Sequence, residues 1–189
     1  STLQQTASSR LGFGASRTLQ IAQKLYQGIE IEGETIGLIT YMRADGTNLS
    51  KDAVSDFRTY IEKEIGNEYL PENPLNYSGK KAKNAQEAHE AIRPTDIERS
   101  PNSVKKYLSP DQQKLYNLIW GRALSSQKET AKLDRSTITI SSKDGNTICK
   151  SSGSVLKFDG YLKVYPNTNK DDDETLLPEL SNGPINIES

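Results

Sequence analysis

The sequence predicts an α+β protein, in which a helical domain over residues 1–130 precedes a β-rich part over residues 131–189. Up to about residue 130, apolar residues recur at the spacing of helices between residues that cap helix ends. From Arg135 onward they alternate with polar residues, and Asp144-Gly145 and Ser152-Gly153 supply turn signals. The expected strands of an antiparallel meander are 136–142, 147–151 and 155–165. Because so few strands seldom complete a sheet domain, this part is expected to be one portion of a larger domain.

Two helices are predicted at the start of the chain, at residues 2–9 and 15–27. The turn at residues 11–14 makes them resemble a helix-turn-helix pair. Ser16 is the expected N-cap of the second helix and Gly28 its stop. The residues expected at helical spacing along that helix are Leu19, Ala22, Gln23 and Tyr26.

A turn at residues 33–35 is expected to lead into a buried strand at residues 36–42, which is rich in β-branched and aromatic residues. Ser50 is the expected cap of a helix that reaches Ile65 and stops at Gly66. The residues expected on one face of this helix are Val54, Phe57, Tyr60, Ile61 and Ile65.

The following stretch, residues 71–83, is polar and has no periodicity, which predicts a long loop. A short helix is then predicted at residues 85–92, because Pro94 prevents it from running further. A longer helix begins at Ser109-Pro110 and reaches about residue 126. Gly121 inside it costs about 1 kcal/mol relative to Ala, so we expect a close packing neighbour there.

Composition excludes several classes of protein. The chain has 189 residues, of which 33% are hydrophobic and 26% charged, and no apolar run approaches the roughly 18 residues of a membrane span. With one cysteine, Cys149, and one histidine, His89, the sequence excludes a disulfide scaffold and a structural zinc site of four Cys/His ligands. Because it also lacks a signal-peptide pattern, a cytoplasmic protein is expected.

The formal net charge of −1 is unevenly distributed along the chain. Residues 171–189 contain six acidic and no basic side chains, so residues 1–170 carry 24 basic against 19 acidic groups, a formal +5. That balance is compatible with a polyanionic partner without requiring one. The run Asp171–Glu174 lacks the alternating acidic pattern of a magnesium site, so we interpret it as a solvated acidic loop and assign it no metal.

Tyr41 is the first candidate for chemistry. Arg43 and Asp45 follow it at alternate positions, so a continued strand would place the three side chains on one face. A phenol, with an ordinary pKa of about 10, is a poor nucleophile at neutral pH, and a neighbouring cation favours its phenolate. A guanidinium can hold a phosphate in a bidentate fork, so this pair suits attack on a phosphodiester. The alternative is a packed strand tyrosine beside an edge arginine.

The second candidate is the run from Gln86 to Pro94. On the predicted helix His89 and Arg93 are four residues apart and share a face. Together they can bind phosphate, and the histidine can transfer a proton near neutral pH. The alternative is a capped surface helix with local ion pairs, in which Glu90 binds Arg93.

These segments, by their residues and by their order along the chain, resemble the motifs of a known family. Gly37–Arg43 followed by Ala44–Thr47 resembles the active-site tyrosine motif of type IA DNA topoisomerases, and Ala88–Thr95 resembles their second signature. Further matches lie at residues 1–5, 10–13, 23–26, 114–120 and 158–161. The resemblance therefore covers nearly the whole chain, and Met42 favours the bacterial topoisomerase I branch, since the topoisomerase III branch tends to have Pro there.

The resemblance implies a reaction and the residues that perform it. In this family a tyrosine cuts one DNA strand, forms a 5′-phosphotyrosyl link and leaves a 3′-hydroxyl; another strand passes through the gap, and the cut is reversed without ATP. By match, Tyr41 is the nucleophile, Arg43 positions the scissile phosphate, and His89 binds DNA and handles protons. Arg93 is implied as a further DNA backbone contact or as a support for His89.

The resemblance also implies parts outside this sequence. The Toprim region that binds Mg²⁺ would lie before Ser1, and a further motif region would lie beyond Ser189. The tyrosine domain is expected to have a fold like the DNA-binding domain of the catabolite activator, followed by part of a strand-rich arch. Ala44 and Gly46 stand where the family usually has Thr and Ser, so each departure removes a hydroxyl from the loop after the arginine.

We therefore expect a piece of a type IA topoisomerase that, when whole, relaxes negative supercoils in association with the nucleoid. Alone, the chain is expected to be a monomer that binds single-stranded DNA weakly and does not relax it, without a membrane, ATP or bound metal. Two alternatives stay open at this point. One is a non-catalytic helix-turn-helix DNA-binding module in which Tyr41 is merely packed, and the other is a protein-interaction domain.

Overall fold

The computed structural model describes residues 1–44, 46–77, 89–142, 144 and 146–166. Its α-helices are α1 (Thr2–Leu11), α2 (Ala15–Gln27), α3 (Lys51–Tyr60), α4 (Pro101–Val104) and α5 (Pro110–Ser125), and its strands are β1 (Ile29–Ile31), β2 (Glu34–Ile36), β3 (Lys132–Ser141) and β4 (Ile148–Phe158). Ile61–Ile65 is a π-helical turn, and Asn67–Tyr69, Lys105–Tyr107 and Gly160–Lys163 are 3-10 turns. Helices with small antiparallel sheets agree with the predicted α+β class.

Both opening helices form where they were predicted, and α1 reaches two residues further. Ser1 caps α1 in a capping box, and Gly12 ends it at φ 67°, in the left-handed region that glycine adopts without steric cost. The N-cap of α2 is Gly14 rather than the predicted Ser16, and α2 stops at the predicted Gly28. The likeness of this pair to a helix-turn-helix stays a prediction.

The buried face of α2 differs from the predicted one. The residues that it buries are Thr18, Ile21, Ala22 and Leu25. Thr18 joins this face because its hydroxyl donates to the Gly14 carbonyl oxygen at 3.0 Å and therefore needs no water. Of the residues predicted at helical spacing, Gln23 and Tyr26 are exposed.

The buried strand predicted at residues 36–42 is wrong. Instead β1 and β2 form a short antiparallel hairpin, whose turn consists of Glu32 at φ 54° and Gly33 at φ 88°. Two positive φ values give a two-residue turn the twist that its strands require. Beyond β2 the chain makes one isolated bridge, between Ile39 and Pro94.

The helices capped by serine agree with prediction. Ser50 caps α3, whose path continues through the π-helical turn to the predicted stop at Gly66. α5 begins as predicted after Ser109 and ends within one residue of its predicted end. Gly121 has the predicted close neighbour, because a Cβ there would lie 3.4 Å from the Val164 carbonyl oxygen.

The prediction of a helix at residues 85–92 is wrong for residues 89–92. Residues 89–92 are not helical, and residues 85–88 lie outside the described residues. The Ala91 N–H donates to the Asn48 carbonyl oxygen at 2.9 Å, so this backbone bonds to a distant segment instead of to a helix. Within the predicted loop at 71–83, residues 71–77 have no regular structure, and the rest lies outside the described residues.

A two-stranded ribbon replaces the predicted three-stranded meander. Ser152 and Gly153 do not form a turn but lie inside β4, opposite Thr137 and Ser136 of β3. The ladder hydrogen bonds of two long strands outweigh the local turn preference of these small residues. The end of the predicted third strand is a 3-10 turn at Gly160–Lys163. The acidic run at 171–174 lies outside the described residues, and the domain boundary at 130/131 stays a prediction.

One contiguous core joins the helices. Its largest fully buried apolar side chains are Tyr116, Phe57, Leu25, Leu38, Ile39, Ile61, Leu115 and Leu124. Trp120 Nε1 donates to the Ile97 carbonyl oxygen at 3.1 Å, and Tyr116 Oη donates to the Arg99 carbonyl oxygen at 2.7 Å. These two bonds fix the chain that follows Pro94 against α5. Among the described residues, no helix is both long enough and apolar enough to cross a membrane.

A buried lysine lies where α5 leads into β3. Lys128 is 2% exposed, and its Nζ lies 4.6 Å from the centroid of the Tyr69 ring without a hydrogen-bond partner among the described residues. Lys163 Nζ lies 4.2 Å from the same centroid, and that ring packs on Phe158 at 4.9 Å. Burial lowers the pKa of Lys128 to about 8, against a smaller raising effect of Asp159.

This lysine makes the stability of the fold depend on pH. Between about pH 8 and 10.5 the unfolded chain binds more protons than the folded chain, so the free energy of unfolding rises with pH. Lys128→Met is expected to flatten this rise and to increase the free energy of unfolding at pH 7 by on the order of 1–3 kcal/mol, because a buried charge is removed. Urea unfolding at pH 7 and about pH 9.5 measures both effects.

Lys163→Met is the matched control, since Lys163 is exposed and approaches the same ring. Its pH dependence is expected to flatten much less than that of Lys128→Met, because the Lys163 charge makes the smallest contribution to the lowered pKa of Lys128. A Lys128→Met protein with an unchanged pH slope would contradict the assignment.

Candidate functional site

Two chain segments meet to form the candidate site. We call residues 37–44 and 46–49 the tyrosine segment and residues 89–95 the histidine segment. The tyrosine segment is fixed to α2, because the Leu38 N–H donates to the Leu25 carbonyl oxygen at 2.8 Å. It is fixed to the histidine segment by the Thr95 N–H, which donates to the Leu38 carbonyl oxygen at 3.1 Å.

Thr40 makes the most connections between the two segments. Its N–H donates to the Arg93 carbonyl oxygen at 2.9 Å. Its hydroxyl donates to the Ala91 carbonyl oxygen at 2.8 Å and accepts from the Arg93 N–H at 3.0 Å. The residue before Tyr41 is therefore held at three points.

Tyr41 is partly buried, and its ring is held between two others. The ring meets Tyr26 edge-on at 5.4 Å between centroids and lies tilted against His89 at 4.9 Å. Its hydroxyl has no hydrogen-bond partner within the described part of the chain. Because Ile39 and Met42 are buried on either side, the backbone is fixed while the ring stays near the surface.

The structure brings the rings of Tyr41 and His89 together, and Arg43 follows Tyr41 by two residues. His89 and Arg43 are both exposed, and the Arg43 guanidinium has no ion-pair partner among the described residues. The prediction that a strand aligns Tyr41 with Arg43 is wrong, because residues 41–44 are irregular. Asp45, the third member of that alignment, lies outside the described residues.

Arg93 is differently placed, because its side chain is only 14% exposed. Its Nε and Nη2 donate to the two carboxylate oxygens of Glu90 at 2.9 Å each, and its Nη1 donates to the Pro94 carbonyl oxygen at 2.9 Å. Glu90 also accepts from the Ser50 N–H at 3.3 Å. Arg93 and Glu90 thus attach the histidine segment to the start of α3, as in the ion-paired alternative. The predicted helical pairing of Arg93 with His89 does not form.

Tyr26 is a site residue that the sequence reasoning missed as such. It was predicted only as one of the residues at helical spacing along α2, and it is 41% exposed and contacts the Tyr41 ring. Gln23, one turn earlier, and Lys24 are exposed as well, and α2 contains no acidic side chain. The signal that the sequence offered was a large aromatic residue on a predicted helix that has basic but no acidic side chains.

A cavity of about 610 Å³ lies behind the two segments. Ala44, Gly46 and Thr47 border it from the tyrosine segment, and Ala91 and Ile92 border it from the histidine segment. Tyr41, Arg43 and His89 do not line it. The segments therefore have open space on one side, while the candidate reactive groups face elsewhere.

The described residues do not form a metal centre. Across the described ranges, no three His, Cys, Asp or Glu side chains come close enough together to hold an ion. The Mg²⁺ that the family resemblance implies therefore has no fitting ligand set among them.

Comparison with known proteins identifies the family. The family model described as DNA topoisomerase matches residues 1–189, so the chain belongs to the DNA topoisomerase family. Within that family, the chain is similar to bacterial DNA topoisomerase 1, as predicted. It is 50% identical over 183 residues to the protein of Rickettsia typhi (95% of this chain, 23% of the relative). It is 47% identical over 189 residues to that of Helicobacter pylori (100% of this chain, 25% of the relative).

The fold agrees with the same family. The solved structure of full-length topoisomerase I from Thermotoga maritima matches with a TM-score of 0.76 and 38% identity, over 97% of this chain and 28% of that chain. The chain thus spans about a quarter of the length of the curated relatives that it matches.

The contacts of Thr40 lead to a prediction about stability. Thr40→Val leaves the Arg93 N–H and the Ala91 carbonyl without their side-chain partner, so the free energy of unfolding is expected to fall by about 1–3 kcal/mol. Urea unfolding measures the loss. Thr95→Val is the matched control: its exposed hydroxyl donates once, to the Gly37 carbonyl at 2.7 Å, and about 0.5 kcal/mol is expected. Equal losses in the two variants would be inconsistent with a special role of Thr40.

Proposed function

We propose that the intact protein changes DNA topology by cutting and rejoining one strand, with Tyr41 as the nucleophile. The Tyr41 oxygen attacks a backbone phosphorus and loses its proton. A phosphotyrosine bond forms to the 5′ end, the bond to the 3′ oxygen breaks, and that oxygen takes up a proton. Attack by the 3′-hydroxyl reverses the step. One phosphate ester replaces another, so ATP is not consumed.

The observation that carries the proposal is the placement of the Tyr41 ring near the surface, against His89 and two residues from the exposed Arg43. A tyrosine enclosed in the core could not reach a DNA strand. Here the core holds the flanking residues instead of the tyrosine itself.

Each neighbouring residue has a role that its environment supports. Arg43 is exposed and available to hold the scissile phosphate in a bidentate fork. His89 is the only histidine, and its contact with the Tyr41 ring suits proton transfer at the phenol or at the phosphate. Arg93 acts as a support, because its guanidinium nitrogens already bond within the protein.

The same arrangement supports single-stranded DNA as the partner. Exposed aromatic rings stack on bases that are not paired, and nearby cations attract the backbone. Tyr26 and Lys24 supply both on the helix next to Tyr41. We propose that the chain alone is monomeric, binds such DNA weakly and does not relax supercoils. The intact cytoplasmic protein, with Mg²⁺ held outside this chain, relaxes negative supercoils by passing a second strand through the gap.

The first test replaces the nucleophile in the intact protein. Tyr41→Phe is expected to abolish the covalent adduct with a labelled single-stranded oligonucleotide, because the attacking oxygen is absent, and denaturing electrophoresis detects the adduct. Tyr107→Phe is the control, since the Tyr107 hydroxyl donates to Glu32 at 2.9 Å, which belongs to neither segment of the candidate site; it should form normal adduct. An adduct that persists in Tyr41→Phe would show that another residue is the nucleophile. Absence of any adduct in the unaltered protein would favour a non-catalytic DNA-binding module in which Tyr41 is packed.

The second test separates the two arginines in the isolated chain. Arg43→Met is expected to weaken oligonucleotide binding and to reduce the slope of log affinity against log salt by about 0.7, with stability unchanged within about 0.5 kcal/mol. Arg93→Met is expected to leave that slope unchanged and to lower the free energy of unfolding by about 1–3 kcal/mol, since Glu90 loses its partner. Fluorescence anisotropy and urea unfolding measure the two effects. The reverse assignment of effects would refute the proposed roles.

A further inference from the structure

Gly46 lies where the tyrosine and histidine segments come closest. A Cβ at this position would lie 2.3 Å from the His89 carbonyl oxygen, and 3.4 Å from the carbonyl carbons of His89 and Glu90. Real Cβ atoms essentially never lie within 3.0 Å of a heavy atom outside their own residue and its two chain neighbours. The contact is with backbone, which cannot rotate away as the end of a side chain could.

The close approach of backbone accounts for a glycine at position 46. An alanine would place its Cβ where the His89 carbonyl oxygen lies. What the alanine lacks is space. The family resemblance implies a serine at position 46. In this chain the glycine coincides with a backbone contact that leaves no room for a Cβ.

The contact acts on the candidate site through His89. The carbonyl that touches Gly46 belongs to the residue whose ring lies 4.9 Å from the Tyr41 ring. A side chain at position 46 would separate the two segments, and the cavity bordered by Gly46 and Ala91 gives the tyrosine segment space to withdraw. The least costly response is a displaced segment rather than an unfolded protein.

We infer that Gly46 is a positioning residue, whose lack of a side chain lets His89 lie against Tyr41. The inference rests on the proposed roles of Tyr41 and His89. Gly46 touches neither DNA nor the reacting atoms in this proposal. It sets the distance between the nucleophile and the group that handles its proton.

The test follows the NMR signals of the His89 ring. These signals need no assignment among several histidines, because the chain contains a single one. The ring protons of His89 are measured by NMR in the chain of 189 residues. Tyr41→Leu serves to show how far these signals move when the Tyr41 ring is removed. Gly46→Ala is expected to move them in the same direction, toward their positions in the urea-unfolded chain.

Gly14→Ala is the matched control. Nothing lies within 4 Å of a Cβ at Gly14, and its φ of −64° and ψ of 155° suit alanine. The His89 signals are expected to be unchanged in this variant. The inference would be overturned if the His89 signals did not move in Gly46→Ala. It would likewise be overturned if they did not move in Tyr41→Leu.

A second measurement covers the case in which Gly46→Ala does not fold. In the unaltered chain, nuclear Overhauser contacts are expected between the Gly46 α-protons and the backbone protons of His89 and Glu90. Their absence would overturn the inference without any variant.

The intact protein separates this inference from the proposed function. There Gly46→Ala is expected to slow adduct formation by about 10- to 100-fold, since small misplacements of reacting groups have effects of that size, while Gly14→Ala forms adduct at the normal rate. If the unaltered protein forms no adduct but the His89 signals respond, the proposed function fails and the positioning contact stands. If adduct formation depends on Tyr41 but neither signals nor rate respond to Gly46→Ala, only the inference fails.

Discussion

The hydroxyl of Thr40 is the interaction on which the candidate site depends most. It donates to one carbonyl and accepts from one N–H of the histidine segment, so it replaces the regular strand pairing that this part of the chain does not form. Neither segment has enough secondary structure of its own to fix its position. A chain of bonds from α2 through the tyrosine segment to the histidine segment supplies that order instead.

The site separates residues that support from residues that are free to react. Leu38, Ile39 and Met42 anchor the tyrosine segment in the core, and the Arg93–Glu90 pair anchors the histidine segment at α3. Arg43 and His89, by contrast, are exposed. Of the two arginines in these motifs, Arg93 uses its guanidinium for hydrogen bonds within the protein, whereas Arg43 is exposed.

Elements governed by local chemistry were predictable from the sequence. The serine caps and glycine stops of α3 and α5 follow from side-chain and backbone preferences a few residues apart. The errors arose where distant residues compete. The backbone at 89–92 bonds to Asn48 and Thr40 instead of forming a helix, and Gly153 continues a strand because Ser136 lies opposite it. The motifs identified Tyr41 and His89, but spacing along one strand or helix could not show that their rings touch.

The way in which Tyr41 is held bears on reversibility. The contacts that fix it are made by the ring, against Tyr26 and His89, and not by its oxygen. Under the proposed reaction, that oxygen can be a free phenol in one state and an ester in the next while the surrounding packing keeps the same neighbours. These ring contacts therefore stabilise the free tyrosine and the phosphotyrosine ester alike. A DNA break held in this way is readily sealed and does not persist as damage.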